Sequence, residues 1–282
     1  MTKIAAILTD FGTQDTYVGT MKAVMLGIAP ELQIVDITHA IEPQNVREGA
    51  FALLNSYRYF PGGTVFCAVV DPGVGSARKP IAARCAGYHF VAPDNGLLSY
   101  SLLDLDSEYH AVSLENPEYQ LPGASHTFHG RDIFAPAAAR LASDPACLKD
   151  MGPELDRVVT FPKPQLSYFR QRVTGEVMHI DHFGNIITSI GILRWQGDDE
   201  LNLDPLWNGE VPALRLAAAS ANVTIHSHTI HGISRAYHEA QLGAILAQID
   251  SNGFLEICAN QESAADRLDV QLGDKVMLRL TS

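Results

Sequence analysis

The periodicity of the apolar residues changes once along this chain, near residues 161–169, and that change constrains the fold more than any other feature. Before it, short apolar runs alternate with helical patterns. "KIAAILTDF" reads as a buried strand, "TYVGTMKAVMLGIAP" as a helix stopped by Pro30, "LQIVDIT" as a strand and "VREGAFALLNSYRYF" as a helix ended by "PGG". "TVFCAVVDPG", "PIAARCAGYHFVAPDNG" and "YHAVSL" supply further strands, and "RDIFAPAAARLASD" a late helix. Strand and helix in this rhythm predict an α/β domain with a mostly parallel, doubly wound sheet, since parallel neighbours need a crossover and the helix is that crossover. "FPKPQLSYF" is a proline-bearing connector. Beyond it, "VTGEVMHIDHFGNIITSI", "GAILAQIDSNGFLEICAN" and "DKVMLRL" read as short strands with turns, which predict a smaller all-β, barrel-like domain. The expected domains are 1–168 and 169–282.

Charge narrows the partners. The net charge is −12 with no run of lysine or arginine, so nucleic acid and anionic membrane are poor partners and a small-molecule ligand is expected. No apolar stretch approaches the roughly 18 residues of a membrane span, and "MTKIAAILTDFG" reads as a first strand and not as a signal peptide. A cytoplasmic protein is the expectation. Cys67, Cys85, Cys147 and Cys258 lack CxxC spacing, which argues for buried free thiols and against a zinc site or a disulfide framework.

In a doubly wound sheet, ligands sit outside the carboxyl ends of the strands. Three acidic turns fall at such ends: "LTDFGTQD", "VVDPGVGSAR" and "VAPDNG". Each alone is ordinary turn chemistry, because proline presets φ and glycine takes positive φ. Three on one edge, joined by His129 at a helix start, point to a site. Known motifs do not account for it. "GVGSAR" lacks the third glycine of a dinucleotide fingerprint and the Lys-Ser pair of a P-loop, and "DFG" at 10–12 has no kinase context. "HSHTIH" at 226–231 would place His226 and His228 on one strand face, but no carboxylate at metal-ligand spacing accompanies them, so a polar strand face or its turn is expected and no metal.

"TDFG…D", "VVDPGVGS.R", "APDNGLL", "FHGRDIFAP" and "IDHFGN", in this order, resemble the S-adenosylmethionine hydroxide adenosyltransferases, relatives of the fluorinating and chlorinating enzymes that attack the ribose C5′. The likeness runs from about residue 4 to residue 280. It implies hydrolysis of S-adenosyl-L-methionine to adenosine and methionine without a cofactor, by a homotrimer whose sites lie at subunit interfaces. By the same resemblance, Asp71, Arg78 and His129 match the catalytic set. Asp10 matches the acid on the ribose hydroxyls and Asp15 an acid near the methionine amino group. Asp181, Phe183 and Asn185 match the β-domain segment of the pocket, Tyr237 an adenine-stacking aromatic, Ser251 a methionine-carboxylate contact and Asn260 a loop at the adenine edge. Asn252 stands where the fluorinating relatives have arginine. Asp71 replaces the halogenating enzymes' aromatic residue and Gly130 the fluorinating enzymes' serine, which implies water as nucleophile, with space for it beside Gly130.

The residue types suit that reaction. The leaving group is neutral methionine, so no acid is needed, and what is lacking is a good nucleophile. Arg78 stays charged and can only donate, Asp71 can hold its fork, and His129 can orient a water or take its proton. Which group takes the proton stays open at this level. So do two other readings: a nucleoside- or S-adenosylmethionine-binding protein without turnover, and a metal-dependent hydrolase built on Asp10, Asp71, Asp94 and His129.

Overall fold

A computed structural model describes residues 3–280, and its packing divides the chain between Phe161 and Pro162. The first unit contains β1 (Ile4–Thr9), α1 (Tyr17–Ile28), β2 (Gln33–Thr38), α2 (Val46–Tyr57), β3 (Val65–Val69), β4 (Pro80–Cys85), β5 (Tyr88–Pro93), α3 (Ser99–Leu105), β6 (Tyr109–Ser113) and α4 (Ala135–Ser143). Its sheet runs β2-β1-β3-β5-β4-β6. The β1–β2, β1–β3 and β3–β5 pairs are parallel, whereas β4 is antiparallel to both β5 and β6. The expected mostly parallel sheet is therefore a mixed one. The cause is local: "PIAARCAGYHFVAP" folds back at Ala86 and Gly87, both at positive φ (46° and 84°), and a two-residue turn of that kind closes only an antiparallel hairpin.

The parallel core nevertheless aligns the acidic turns. Thr9 is level with Val69, and Cys67 with Val91, so Asp10, Asp71 and Asp94 leave three adjacent strands along one edge. Helix α4 covers one face of those strands. Its small residues Ala137, Ala138 and Ala139 are buried with Ile7, Cys67, Val69 and Val91, which lets the helix lie close to the sheet. The opposite face carries the stacked rings of Phe66 and Phe90, 5.4 Å apart.

The second unit holds β7 (Leu166–Phe169), β8 (Arg172–Ile180), β9 (Ile186–Trp195), β10 (Glu200–Asp204), β11 (Leu214–Ala217), β12 (Asn222–Ile225), β13 (His228–His231), β14 (Ile245–Ile249), β15 (Phe254–Ala259), α5 (Ala264–Leu268) and β16 (Lys275–Arg279). The ladder order is β11-β10-β9-β8-β16-β12-β13, with β7 on β8 and the β14–β15 hairpin joined to β9, and every one of these pairs is antiparallel. Alternation of buried and partly exposed residues along β8 is the period of two that the sequence showed. Short antiparallel strands need only tight turns, and among the described residues of this unit the α-helix is the short α5, Ala264–Leu268.

Candidate functional site

The loop from Asp71 to Arg78 is two successive turns, closed by Val74 N–H donating to Asp71 O at 3.3 Å and Ser76 N–H to Gly73 O at 3.0 Å. Gly75 has φ +74°, and a Cβ there would collide with the His126 carbonyl, so the loop packs directly on the segment that carries His129. That close approach is the use to which the second glycine is put. It brings Arg78 back over Asp71: Nε donates to Oδ1 at 2.9 Å, and Nη2 pairs with Oδ2. Nη2 also donates to His129 Nδ1 at 2.9 Å, and the guanidinium carbon stands 5.3 Å from the centre of the Phe134 ring. The Arg78 and Asp71 side chains are only 8% and 5% exposed.

A guanidinium has five N–H groups, and three are spent on Asp71 and His129. The remaining two belong to Nη1, which is buried without a hydrogen-bond partner. An arginine donor is not left orphaned for stability, since an unmet buried polar group costs about 1–3 kcal/mol. Because His129 Nδ1 accepts from Arg78, its ring proton sits on Nε2. Burial, and after it the Arg78 charge, push the imidazole below its ordinary value, so it is neutral at pH 7.

His129 opens a π-helical turn, Gly130–Phe134, where Ala135 N–H reaches back to Gly130 O before α4 begins. Asp132, in the same turn, accepts from Ser125 N (2.8 Å) and Oγ (2.7 Å) and from Arg131 Nε (2.6 Å). Burial raises its carboxyl, but those hydrogen bonds outweigh burial and leave it below the usual carboxylate range. Asp132 thus fixes the loop that presents His129. Gly130 does not open space for a water as expected: a Cβ there would stand 3.1 Å from Met21 Sδ and from Phe128, and 3.2 Å from Phe11. Its role is close packing against an aromatic cluster in which Phe11, Tyr17 and Phe128 lie 5.1–6.0 Å apart.

The other acids on this edge divide. Asp10 Oδ2 accepts from Gln44 N at 2.8 Å, while Asp15 is exposed just before α1. Asp94 Oδ1 accepts from Val159 N at 2.7 Å and so anchors the end of the first unit. Among the described residues no three of His, Cys, Asp and Glu group to hold a metal. Asp71, with both oxygens taken by Arg78, does not suit the metal-dependent alternative. Of the two expected places for His226, strand face and turn, it takes the turn. It occupies the β12–β13 turn at φ 50° and pairs with Asp274 Oδ2 at 3.0 Å.

In the second unit, a pocket of about 480 Å³ is lined by Phe183, Asn185, Tyr237, Ala259 and Gln261–Ser263. Three of the expected residues therefore come together. The Phe183 and Tyr237 side chains leave the protein surface apolar here, at 73% and 41% exposure. Asp181 lies behind them: Oδ1 accepts from Phe183 N (2.8 Å) and Asn185 N (2.9 Å), and Oδ2 from Asn185 Nδ2 (2.9 Å). Gly184 at φ +80° makes this tight loop possible, with Ser263 packed where a Cβ would be. Ser251 and Asn260 do not line the pocket. Ser251 is exposed in the β14–β15 turn, and the Asn260 side chain donates to Ala240 O at 2.8 Å. Sequence reasoning missed Glu256, which accepts from the Tyr237 hydroxyl at 2.9 Å. Its one signal was an acid inside the apolar run "FLEICA".

A mixed-sheet domain carrying a carboxylate–guanidinium–imidazole cluster, followed by an antiparallel domain with an aromatic-rimmed pocket, is the build of a two-domain enzyme. The chain matches the SAM hydroxide adenosyltransferase N-terminal domain over residues 5–152 and the SAM hydroxide adenosyltransferase C-terminal domain over residues 175–277. It belongs to the SAM hydroxide adenosyltransferase family. It is 37% identical to an (R)-S-adenosyl-L-methionine hydrolase of Salinispora arenicola, over 97% of this chain and 96% of that one. A protein of the same name from Thermus thermophilus is also 37% identical, over 96% of this chain and 97% of its own. A solved structure of an uncharacterized conserved protein from Thermotoga maritima superposes with a TM-score of 0.83 at 34% identity, covering 98% of this chain and 99% of that one.

Proposed function

We propose that the protein hydrolyses S-adenosyl-L-methionine, in its (R)-sulfonium form, to adenosine and L-methionine. A water-derived oxygen bonds to ribose C5′, the C5′–S bond breaks with its electron pair going to sulfur, and one proton is released. The likeness to (R)-S-adenosyl-L-methionine hydrolases supports the substrate, and the observation in this chain that supports activation of a water is the orphaned Nη1 of Arg78 beside a neutral His129. Asp71 and His129 Nδ1 consume three arginine donors, so what the cluster offers a reactant is donors only: two N–H of Arg78 and Nε2–H of His129. Such a set stabilises an oxygen that takes on hydroxide character, and it costs no reorganisation when the charge develops. Neither side chain is a free base in this arrangement, so the cluster acts by lowering the pKa of water and not by a single proton acceptor.

In this reading Asp71, Arg78 and His129 are the catalytic residues, and Asp10 holds the ribose hydroxyls. Phe183, Asn185 and Tyr237 line the pocket for the rest of the substrate, Asp181 holds their loop, and Asp15, Ser251 and Asn260, outside that pocket, are further substrate contacts that the family resemblance implies. Residues up to Phe161 supply the chemistry, and residues from Pro162, a barrel-like β domain, supply the pocket. The family resemblance implies a homotrimer in which a neighbour's first domain covers the exposed Phe183 and Tyr237, and the expected location is the cytoplasm. No helix among the described residues is long and apolar enough to cross a membrane.

The test is incubation with each sulfonium epimer of S-adenosyl-L-methionine in ¹⁸O-labelled water, with chloride and fluoride present. Labelled adenosine and methionine from the (R) epimer are expected. A 5′-halo-adenosine, or adenosine without label, overturns the assignment.

A further inference from the structure

The pocket of the second unit rests on a buried polar relay that passes through two of its lining residues. Glu256 lies inside β15 and is 4% exposed. Its Oε1 accepts from the Tyr237 hydroxyl at 2.9 Å and from Gln248 Nε2 at 2.7 Å, Gln248 being its direct cross-strand partner on β14. The Tyr237 oxygen stands 3.4 Å from Asn185 Nδ2, and that same nitrogen donates to Asp181 Oδ2 at 2.9 Å.

The direction of each bond follows from the chemistry of the groups. A carboxylate only accepts, so the amide atom facing Asp181 is the nitrogen. Tyr237 has one proton, and it goes to Glu256, so toward Asn185 the phenol oxygen is an acceptor. Both N–H groups of Asn185 are then spent, and Oδ1 is the acceptor that remains. Asn185 is 5% exposed and is one of the residues that line the pocket. Burying a carboxyl disfavours its charged form, and burial indeed pushes Glu256 above its ordinary value. An apolar residue would serve β15 better if packing were all that mattered.

We propose that Glu256 is a positioning residue: together with Asp181 at the other end of the relay, it fixes the polarity of Asn185 so that the pocket offers an acceptor and selects an amino- over an oxo-substituted purine. The inference rests on the reading above, in which the ligand is an adenine nucleoside. An exocyclic amine would meet Oδ1 as a donor, whereas an oxo group would set two acceptors against each other.

The test measures Kd for adenosine and for inosine by calorimetry, on the wild type and on Tyr237→Phe, Glu256→Leu and Glu256→Gln, with KM and kcat for S-adenosyl-L-methionine and a thermal transition for each. The wild type should bind adenosine at least about tenfold more tightly, the size of effect that one unmet buried polar group produces. Glu256→Leu fills the volume but removes the acceptor, and should narrow that ratio about threefold or more and act mainly on KM. Tyr237→Phe should narrow it similarly, and it carries the test alone if Glu256→Leu does not fold. Glu256→Gln keeps an oxygen at the Oε1 position and should retain the ratio. Equal affinities in the wild type, or an unchanged ratio in folded Glu256→Leu or Tyr237→Phe, would overturn the proposal. Nucleoside affinity does not require turnover. Discrimination without release of methionine would therefore support this inference and refute the hydrolase reading, and turnover without discrimination would do the reverse.

Discussion

The polar cluster of the first unit and the pocket of the second solve different physical problems with similar residue types. Around Arg78, two acceptors saturate one side of a buried guanidinium and leave the other side bare. Around Tyr237, a buried acid saturates the phenol from behind while the ring faces solvent. In the proposed function, the first arrangement holds fixed donors ready for charge that appears only during reaction, and the second holds an apolar surface for the ligand. Chemistry calls for rigidity at unpaired dipoles, whereas binding calls for area with a few polar anchors. The two regions should therefore respond differently to substitution: kcat should fail in one and KM in the other.

The largest expected separation is at Arg78. Arg78→Ala should lower kcat on the order of 10³-fold while adenosine affinity changes about threefold or less, measured by steady-state kinetics and calorimetry. Asp71 would be left buried and unpaired, so the thermal transition should fall as well, by an amount equivalent to about 3–5 kcal/mol. Equal losses of kcat and nucleoside affinity would erase the contrast between the regions.

His129→Ala should cost about 10²-fold in kcat. Its pH dependence sharpens the point. The folded imidazole lies below the ordinary value near 6.5, so the acid limb of the wild-type rate should be centred below pH 6.5, where protonation sets imidazolium against the Arg78 guanidinium. The same shift means that the unfolded chain takes up this proton first. The stability that His129 contributes is present above pH 6.5 and is lost as the pH falls through the folded value. An acid limb centred above pH 6.5 would show that another group governs the rate.

Asp10→Ala should behave as a binding lesion within the first unit, raising KM about 10–100-fold as the paired ribose hydroxyls lose a charged acceptor. A fall in kcat alone would move Asp10 to the catalytic side. Phe183→Ala should raise KM about fivefold with a near-normal thermal transition, because its side chain is 73% exposed and packs little in the free protein. Gly130→Ala has the smallest expected effect on chemistry. Overpacking against Met21, Phe128 and Phe11 should cost about 1–3 kcal/mol of stability, read as a lowered Tm. A stable Gly130→Ala with unchanged Tm would mean that the aromatic cluster yields to a methyl group.

Much of this was written in local sequence. The switch of apolar period near residue 161 marks the change from crossover helices to antiparallel turns, because the residues of one element report their own burial directly. Proline and glycine at "DPGVGS" announced a bend, and resemblance located Asp71, Arg78 and His129 upon it. Strand order, by contrast, was not legible. A single apolar stretch, "PIAARCAGYHFVAP", became two strands, and the second of them lies between β3 and β4. The fate of individual polar residues also depended on partners far away in the chain. Asp94 met Val159, Asn260 met Ala240, and Gly130 met Met21 and two aromatic rings. Glu256 is the clearest case, since its meaning lies in Tyr237 and Gln248, which reach it from a loop and from the neighbouring strand. Periodicity tells which side of an element is dry. Only the packed tertiary structure decides what a polar group finds on that dry side, because a hydrogen bond is settled by distance and direction and not by position along the chain.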